Sequence, residues 1–391
     1  MALTTIQDNN KLVQYSREIR REYVRENLFS PYMGTEITSI IRMISEAKKG
    51  GEQINIPLVG RLFGAAKSKG TLVGAEESIR NFGHRLYIDW ARHAVATDDA
   101  EEQKDSADVF GEAKPLLSDW GKELQRDEII QALHALPSLS EPSGLGSSAG
   151  QRVNGILYSA ASSSEKNTWH TDNEDRVLYG DSVVNYVAGN HANSLANIDA
   201  TMKASASGLK LLKRRARLAR PRLRPFRLKD GREYFVAFFG SDAWRDFISD
   251  DEVKQADLHG RARENGGMNS NPIFQDGDRI INGVICREIP EMDEWVKVAG
   301  AGNGGIDVAP VFLCGQQALA VAWGKEPTPT FKKEDDYQFL KGAGVKMCYG
   351  IGKLASKFPS EANPNVQPLK DWGVATWYVA ALSDGAAPVS A

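Results

Sequence analysis

The chain has only three cysteines, Cys286, Cys314 and Cys348, odd in number and far apart. That excludes a disulfide framework and predicts buried free thiols in a protein made in a reducing compartment. No CxxC pair is present, the six histidines are scattered without metal-binding spacing, and no GxxxxGKS/T loop occurs. The zinc and nucleotide sites that short motifs announce are therefore missing. Long apolar runs are missing too, since VAPVFLCGQQALAVAW is broken by Gly315, Gln316 and Gln317, so no membrane span is expected. MALTTIQDNNK has neither the basic start nor the apolar stretch of a secretory signal. What is present is an ordinary globular balance, a quarter charged and 41% apolar over 391 residues. This argues against disorder and leaves room for one large irregular domain or two that interleave.

The net charge of −3 conceals an asymmetry. Residues 210–229 hold ten basic side chains and no acidic one: Lys210, Lys213, Arg214, Arg215, Arg217, Arg220, Arg222, Arg224, Arg227 and Lys229. The rest of the chain, with 38 basic against 51 acidic residues, carries −13. Such a division suits a molecule whose faces complement one another, and it would also suit a nucleic-acid binder with one basic face.

Residues 1–48 read as an arm with helical tendency, because Leu12, Tyr15, Ile19 and Tyr23 recur at three-to-four spacing among charged residues. Ile54, Ile56 and Leu58 then alternate with polar or small residues, as do Leu86, Ile88 and Trp90, which predicts the two arms of a long hairpin. Between them Gly60, Gly64, Gly70, Gly74 and Gly83, with Arg61, Lys67 and Lys69, have no periodicity to pin them to a core. An excursion of that length in a compact domain is functional or disordered. The acidic cluster Asp98, Asp99, Glu101 and Glu102 precedes a helical pattern running to Pro137, with Pro115 marking a kink or the start of the main helix.

Residues 138–192, rich in Ser, Gly and Asn, predict a long connection with little regular structure that divides two sub-domains. A second amphipathic helix is expected from Ser194, as N-cap, to Pro221. YFVAFF at 234–239 reads as a strand buried on both faces, turned by GSDAW into a helix capped by Ser241 or Asp242. Asp276-Gly277 reads as a tight turn, and strands return at 346–353 and 372–379. Helices and strands mix without a βαβα rhythm, so the fold class is α+β.

Three motifs invite chemistry and fail on context. GAGNGG, at Gly300, Gly302 and Gly305, matches a dinucleotide fingerprint, but IDVAPVFL follows where a helix N-terminus is required. GSSAG centres on Ser148 without the apolar strand that leads into a nucleophile elbow. His170, Asp172, Glu174 and Asp175 lack the liganding pattern and glycine of a calcium loop, so solvated loop charge is the reading. No residue is assigned a catalytic, cofactor-binding or metal-binding role.

The order of parts (arm, basic glycine-bearing hairpin, long helix, α/β module, returning β segment) resembles the Hong Kong 97-type capsid fold of tailed bacteriophages. More narrowly, RRARLARPRLRP, YFVAFFGSDAWRDF, NPIFQDGDRIINGVICREIPEM and FLCGQQALAVAWG are similar to the N-four-type phage major capsid proteins. The resemblance covers nearly the whole chain. It implies an N-arm at 1–48, an E-loop hairpin at 49–97 lying over a neighbouring subunit, a peripheral domain with spine helix at 98–193, an axial domain at 194–325 and return strands at 326–391. It further implies a structural subunit with no enzymatic role, located in the virion capsid and in the host cytoplasm during assembly. Its partners would be itself in hexamers and pentamers, portal, scaffolding and decoration proteins, and packaged double-stranded DNA by weak non-specific contact. Some relatives lock the shell with a Lys–Asn bond. Lys67 or Lys69 has the chemistry, but no residue context marks an Asn partner, and that bond is not carried over. Arg61, Lys67 and Lys69 are the candidate intersubunit residues of the hairpin, and the basic run is intersubunit or DNA-facing. The alternative from another class is a nucleic-acid-binding protein using 210–229.

Overall fold

The computed structural model describes residues 25, 27–45, 52–104 and 109–384, except 63, 65, 75, 228–230, 232, 261–278, 333–338 and 360–365. The helical stripe expected in the N-terminal arm, the Asp276-Gly277 turn and Lys229 lie outside the described residues. The chain divides into two compact units.

In the larger unit (28–90, 126–325 and 348–391) the principal sheet follows from the most apolar segments. We label the strands in chain order: β1 Ile41–Ile44, β2 Gln53–Val59, β3 Asn81–Tyr87, β4 Asp89–Asp98, β5 Val177–Tyr179, β6 Glu233–Phe239, β7 Val284–Glu288, β8 Val308–Cys314, β9 Leu319–Phe331, β10 Leu340–Lys353, β11 Ala355–Lys357, β12 Leu369–Asp371 and β13 Val374–Ala380. The sheet order is β7-β6-β8-β13-β5, with two short strands added at β7 and β6. β6 is central, parallel to β7 and antiparallel to β8. The continuous run YFVAFF fits that place, because a central strand meets apolar neighbours on both faces.

One face is covered by helices α5 (Ala206–Leu218) and α6 (Ser241–Ser249), whose Leu209, Leu212, Trp244 and Phe247 pack with Phe235, Phe239 and Trp377. The helix expected from Ser194 is two helices: α4 (His191–Ala196), and α5 with Ser205 as its N-cap accepting from the Gly208 N–H. Ser194 is buried and its hydroxyl donates back to the Asn190 carbonyl instead. For α6 the N-cap is Gly240, and the carboxylate that accepts the Asp242 N–H is that of Asp293, 51 residues on, so neither Ser241 nor Asp242 is the cap.

The expected structureless stretch at 138–192 contains α3 (Ser163–Asp172), closed by a Ser162/Glu165 capping box, as well as β5 and the start of α4. Its order is polar. Val187 C=O is 2.8 Å from His170 Nε2, so that nitrogen carries the proton; His170 Nδ1 then accepts from Tyr179 O–H (2.7 Å). Tyr179 oxygen accepts from His191 Nδ1–H (2.7 Å), and His191 Nε2 accepts from Tyr158 O–H (2.8 Å). With both rings neutral, every donor in this chain has an acceptor. Burial pushes His191 down to about 3, aided by the Lys166 charge, so the neutral form is the one that the fold holds.

A hairpin is formed, β2 pairing antiparallel with β3, Gln53 opposite Tyr87 and Val59 opposite Asn81, but of the expected second arm only Leu86 lies in β3; Ile88 follows it and Trp90 stands on β4. Ile54, Ile56 and Leu86 of its stem pack with Ile44, Ala320, Leu354 and Trp372, so the stem belongs to its own subunit's core. Beyond the Gly60 N–H to Arg80 carbonyl bond the chain leaves regular structure.

In the smaller unit, which includes 91–125 and 326–347, the distal parts of β4, β9 and β10 lie with α1 (Asp99–Lys104) and the first half of α2 (Ala113–His134). Lys341 pairs with Asp99 at 3.0 Å, and His93 packs on Trp120. Pro115 falls in the first turn of α2, where an N–H has no helical partner to lose, so the main helix starts there without a kink and ends at His134.

Candidate functional site

Two features stand out on the larger unit. The first is the loop between β2 and β3. Arg61, Lys67 and Lys69 are exposed on it, as are Leu62, Leu72, Val73 (81%) and Ile79 (70%). Carboxylates shape its course: Glu77 accepts the Gly64 N–H at 2.6 Å and Glu76 the Gly74 N–H at 2.7 Å. Gly70 and Gly74 have positive φ, with open space where a Cβ would stand.

The second is the basic run. Its first half lies on α5, and there much of its charge is used within the chain. Lys210 pairs with Glu252, Arg217 with Glu233 at 3.6 Å, and Arg227 with Glu233 at 2.8 Å. Lys213 donates to the Asn282 carbonyl and Arg215 to that of Glu174. Burial lowers the Lys213 ammonium, with the Arg217 charge adding to it against Glu233. Arg214 and Arg222 pair with no carboxylate among the described residues. Arg224 lies over the Trp372 ring at 5.9 Å.

Past α5 the backbone of the run is held on a fixed path. Arg220 N–H donates to Asp175 (2.8 Å), the Pro221 carbonyl accepts from the buried Arg176 guanidinium (3.2 Å), and the Arg224 carbonyl accepts from the Gln316 N–H (2.8 Å). Gly315 is required beside it, because a Cβ there would collide with the Arg224 carbonyl. Burial alone would raise the Asp175 carboxyl, but Arg176, the Arg220 N–H and Lys370 outweigh it and hold it at about 2. The run, the loop base with Arg61 and Arg80, and the tail around Phe358, Lys370 and Trp372 enclose a cleft of ≈ 940 Å³. Sequence reading singled out Arg61 and the arginines of the run but neither Arg80 nor Lys370, and nothing in their spacing announces that they meet.

The rejected motifs also have places. GAGNGG turns the chain where Val298 bridges Val308, with Gly300, Gly304 and Gly305 at positive φ. Around Ser148, Asp89 accepts the Gly146 and Gln151 N–H groups and so fastens the loop. His170, Asp172 and Asp175 point to different partners: Tyr179, the Leu369 N–H and Arg176 respectively. Among the described residues no three His, Cys, Asp or Glu converge on a metal position, and no helix is long and apolar enough to cross a membrane. The three cysteines are free and buried.

The profile of a phage capsid protein family matches residues 3–382. Among solved structures, the Cyanophage Pam1 capsid asymmetric unit aligns with a TM-score of 0.84 and 30% identity over 98% of this chain and 100% of that one. The capsid of Ralstonia phage GP4 aligns with a TM-score of 0.70 and 17% identity over 99% and 100%. The head structure of Helicobacter pylori bacteriophage KHP40 gives 0.64 and 14% over 97% and 99%. Among curated protein sequences nothing matches. The mixed α+β fold described above is thus the Hong Kong 97-like fold of phage capsids. The chain belongs to the phage capsid protein family, and its role is that of a structural major capsid protein of a tailed bacteriophage.

Proposed function

We propose that the subunit builds its shell as hexamers and pentamers of itself, and that the loop at residues 60–80 is the arm by which each copy grips the next. The observation that carries this reading is the set of exposed apolar side chains on that loop, Leu62, Leu72, Val73 and Ile79, above a stem that is buried in its own subunit. Apolar groups displayed on a loop without a core of its own gain stability only when another surface covers them. Individual contacts need only be modest, because a closed symmetric assembly sums many of them. In this reading residues 1–48 are the N-arm, 49–97 the E-loop, 98–193 the peripheral domain with its spine helix, 194–325 the axial domain and 326–391 the return strands. The chain then sits in the N-four-type branch of the family and has no catalytic role. It passes through the host cytoplasm before the virion is complete, and it meets portal, scaffolding and decoration proteins and packaged DNA by non-specific contact. Arg61, Lys67 and Lys69 act between subunits.

The test replaces residues 61–80 with a short turn. The stem keeps its packing, so urea unfolding of the shortened subunit should remain cooperative while electron microscopy shows no shells, tubes or capsomers. Unfolding of the shortened protein would show that the loop serves its own subunit's core, and the reading would fall.

A further inference from the structure

We propose that the outer edge of β4, from Arg92 to Asp98, is a pairing surface for β4 of a second copy of this chain, the two strands running antiparallel about a twofold axis at Val95. The inference rests on the assembly reading above and adds an address to it. In the smaller unit the distal parts of β9 and β10 form a sheet with β4, which stands at its end, and among the described residues no strand pairs with its outer side. Backbone contacts fix which groups face out. Asp99 N–H donates to the Phe339 carbonyl on the β10 side (3.0 Å), and the His93 and Val95 carbonyls lie against Gly344 and Gly342 of β10, 3.0 and 3.6 Å from where a Cβ would stand. Successive residues of a strand turn their N–H and C=O to opposite sides, so those of Arg92, Ala94 and Ala96 and the N–H of Asp98 face away from β10. Just before them the Trp90 carbonyl is taken by Arg152 (3.1 Å), and just after them α1 begins. The open stretch is therefore centred on Val95.

The sheet treats its two edges differently. On the opposite side Lys332 N–H donates inward to the Gly342 carbonyl (2.9 Å), which turns the nitrogens of Phe331, Pro329 and Pro327 outward. Two of these three are proline and have no hydrogen to offer, so that edge cannot extend the sheet. The open stretch of β4 holds no proline and no lysine, and Ala94 and Ala96, both exposed, let another backbone come close. An unblocked edge beside one so blocked is kept for pairing.

What fits that edge is the edge itself. Antiparallel pairing about Val95 sets Arg92 opposite Asp98 of the partner subunit, Ala94 opposite the partner's Ala96 and Val95 opposite the partner's Val95, and the twofold repeats each pair. Arg92 is exposed and makes no ion pair among the described residues. Asp98 uses one oxygen to accept the Glu101 N–H (2.7 Å) and keeps the other for the guanidinium. Opposite charges directly across a strand pair stabilise it. Sliding by two residues loses this match: in one direction Asp98 meets Trp90, whose carbonyl is already taken, and in the other Arg92 meets Ala100, beyond the strand. Val95, 37% exposed, is covered by its counterpart.

The test copies the blocked edge onto the open one. Ala94→Pro removes an outward N–H and no bond to β10, so urea unfolding of dissociated subunits should be nearly unchanged while shell yield falls by roughly tenfold or more, the equivalent of one or two net hydrogen bonds. In a second measurement, Val95→Cys should give disulfide-linked dimers when assembled shells are oxidised and none in dissociated subunits, because this register alone sets position 95 against itself; the three native thiols are buried and do not compete. Shells of normal yield from a folded Ala94→Pro variant would overturn the proposal, and so would Val95→Cys shells that show no dimer or that link position 95 to another segment or another protein. Should Ala94→Pro fail to fold, the cysteine result decides alone. In each of these cases wild-type shells leave the assembly reading standing. Failure of the wild-type chain itself to assemble would instead count against that reading.

Discussion

Acid should loosen this subunit by an amount that two buried imidazoles set. His84 lies on β3 opposite Ile56, only 4% exposed, and its Nδ1 meets no hydrogen-bond partner among the described residues. Burial pushes it down to about 4. In the unfolded chain the same group titrates near 6.5, so below that pH the unfolded state binds a proton that the folded state refuses. The stability that His84 leaves intact above pH 6.5 is therefore lost progressively as pH falls toward 4, where the folded imidazole begins to protonate as well. At pH 5.5 the unfolded state gains about 1 kcal/mol from this site, and at pH 4.5 about 3 kcal/mol. His191, held near 3, adds a similar amount over the same interval. His134 and His170, both lowered mainly by burial, act in the same direction. Together the two quantified sites approach the lower end of the whole stability of an ordinary domain, about 5 kcal/mol.

The assay is urea unfolding of dissociated subunits between pH 7.5 and 4.5, for wild type and for His84→Leu, which keeps the side chain apolar and of similar size. The advantage of the leucine variant over wild type should widen by about 1 kcal/mol on going to pH 5.5 and by about 3 kcal/mol at pH 4.5. A gap between the two proteins that stays constant with pH would show that the folded imidazole takes its proton as readily as the unfolded one, and the argument from burial would be wrong.

Two other substitutions test the packing. Gly208→Ala would drive a methyl group into the Trp377 ring where α5 crosses β13; it should lower stability by about 1–3 kcal/mol in urea, whereas an alanine at the open Gly189 strains only its backbone. Lys353→Met would leave Asp371, 1% exposed and 2.8 Å from the ammonium, as an unpaired buried carboxylate, with an expected loss of about 3–5 kcal/mol, and Lys353→Met with Asp371→Leu should recover part of it.

The parts of the fold that apolar periodicity writes were legible in the sequence. YFVAFF announces the central strand, Ile54, Ile56 and Leu58 announce the hairpin, and Leu209 and Leu212 announce α5. Residues 138–192 were misread because their order is carried by groups that hydropathy counts as loop formers. Ser162 and Glu165 close a helix, Tyr158, His191, Tyr179 and His170 pass hydrogen bonds to one another, and Asn173 and Arg176 are wholly buried among partners from residues 369–371. A serine- and asparagine-rich segment looks like a connection until the partners that satisfy it are known. The cleft was illegible for a related reason: its cations lie at 61–80, 217–224 and 370, and only the crossing of the hairpin stem over the tail brings them together.

Whether the basic run grips DNA or protein turns on how much of its charge is still unpaired. Counterion release scales with the phosphates a protein newly neutralises, about 0.9 per contact on a log–log plot against salt. Cations already neutralised by Glu233 and Glu252 release nothing further. Lys210 pairs with Glu252, and Arg217 and Arg227 share Glu233, so two carboxylates offset two of these three charges, while Lys213 and Arg215 are turned to backbone carbonyls. A run of ten basic residues therefore overstates the charge available to a genome. If DNA touches this surface through Arg214, Arg222 and Arg224, which pair with no carboxylate among the described residues, the salt slope is about −3, far below that of ten open contacts. A contact that shallow in salt would hold DNA loosely enough to let it slide.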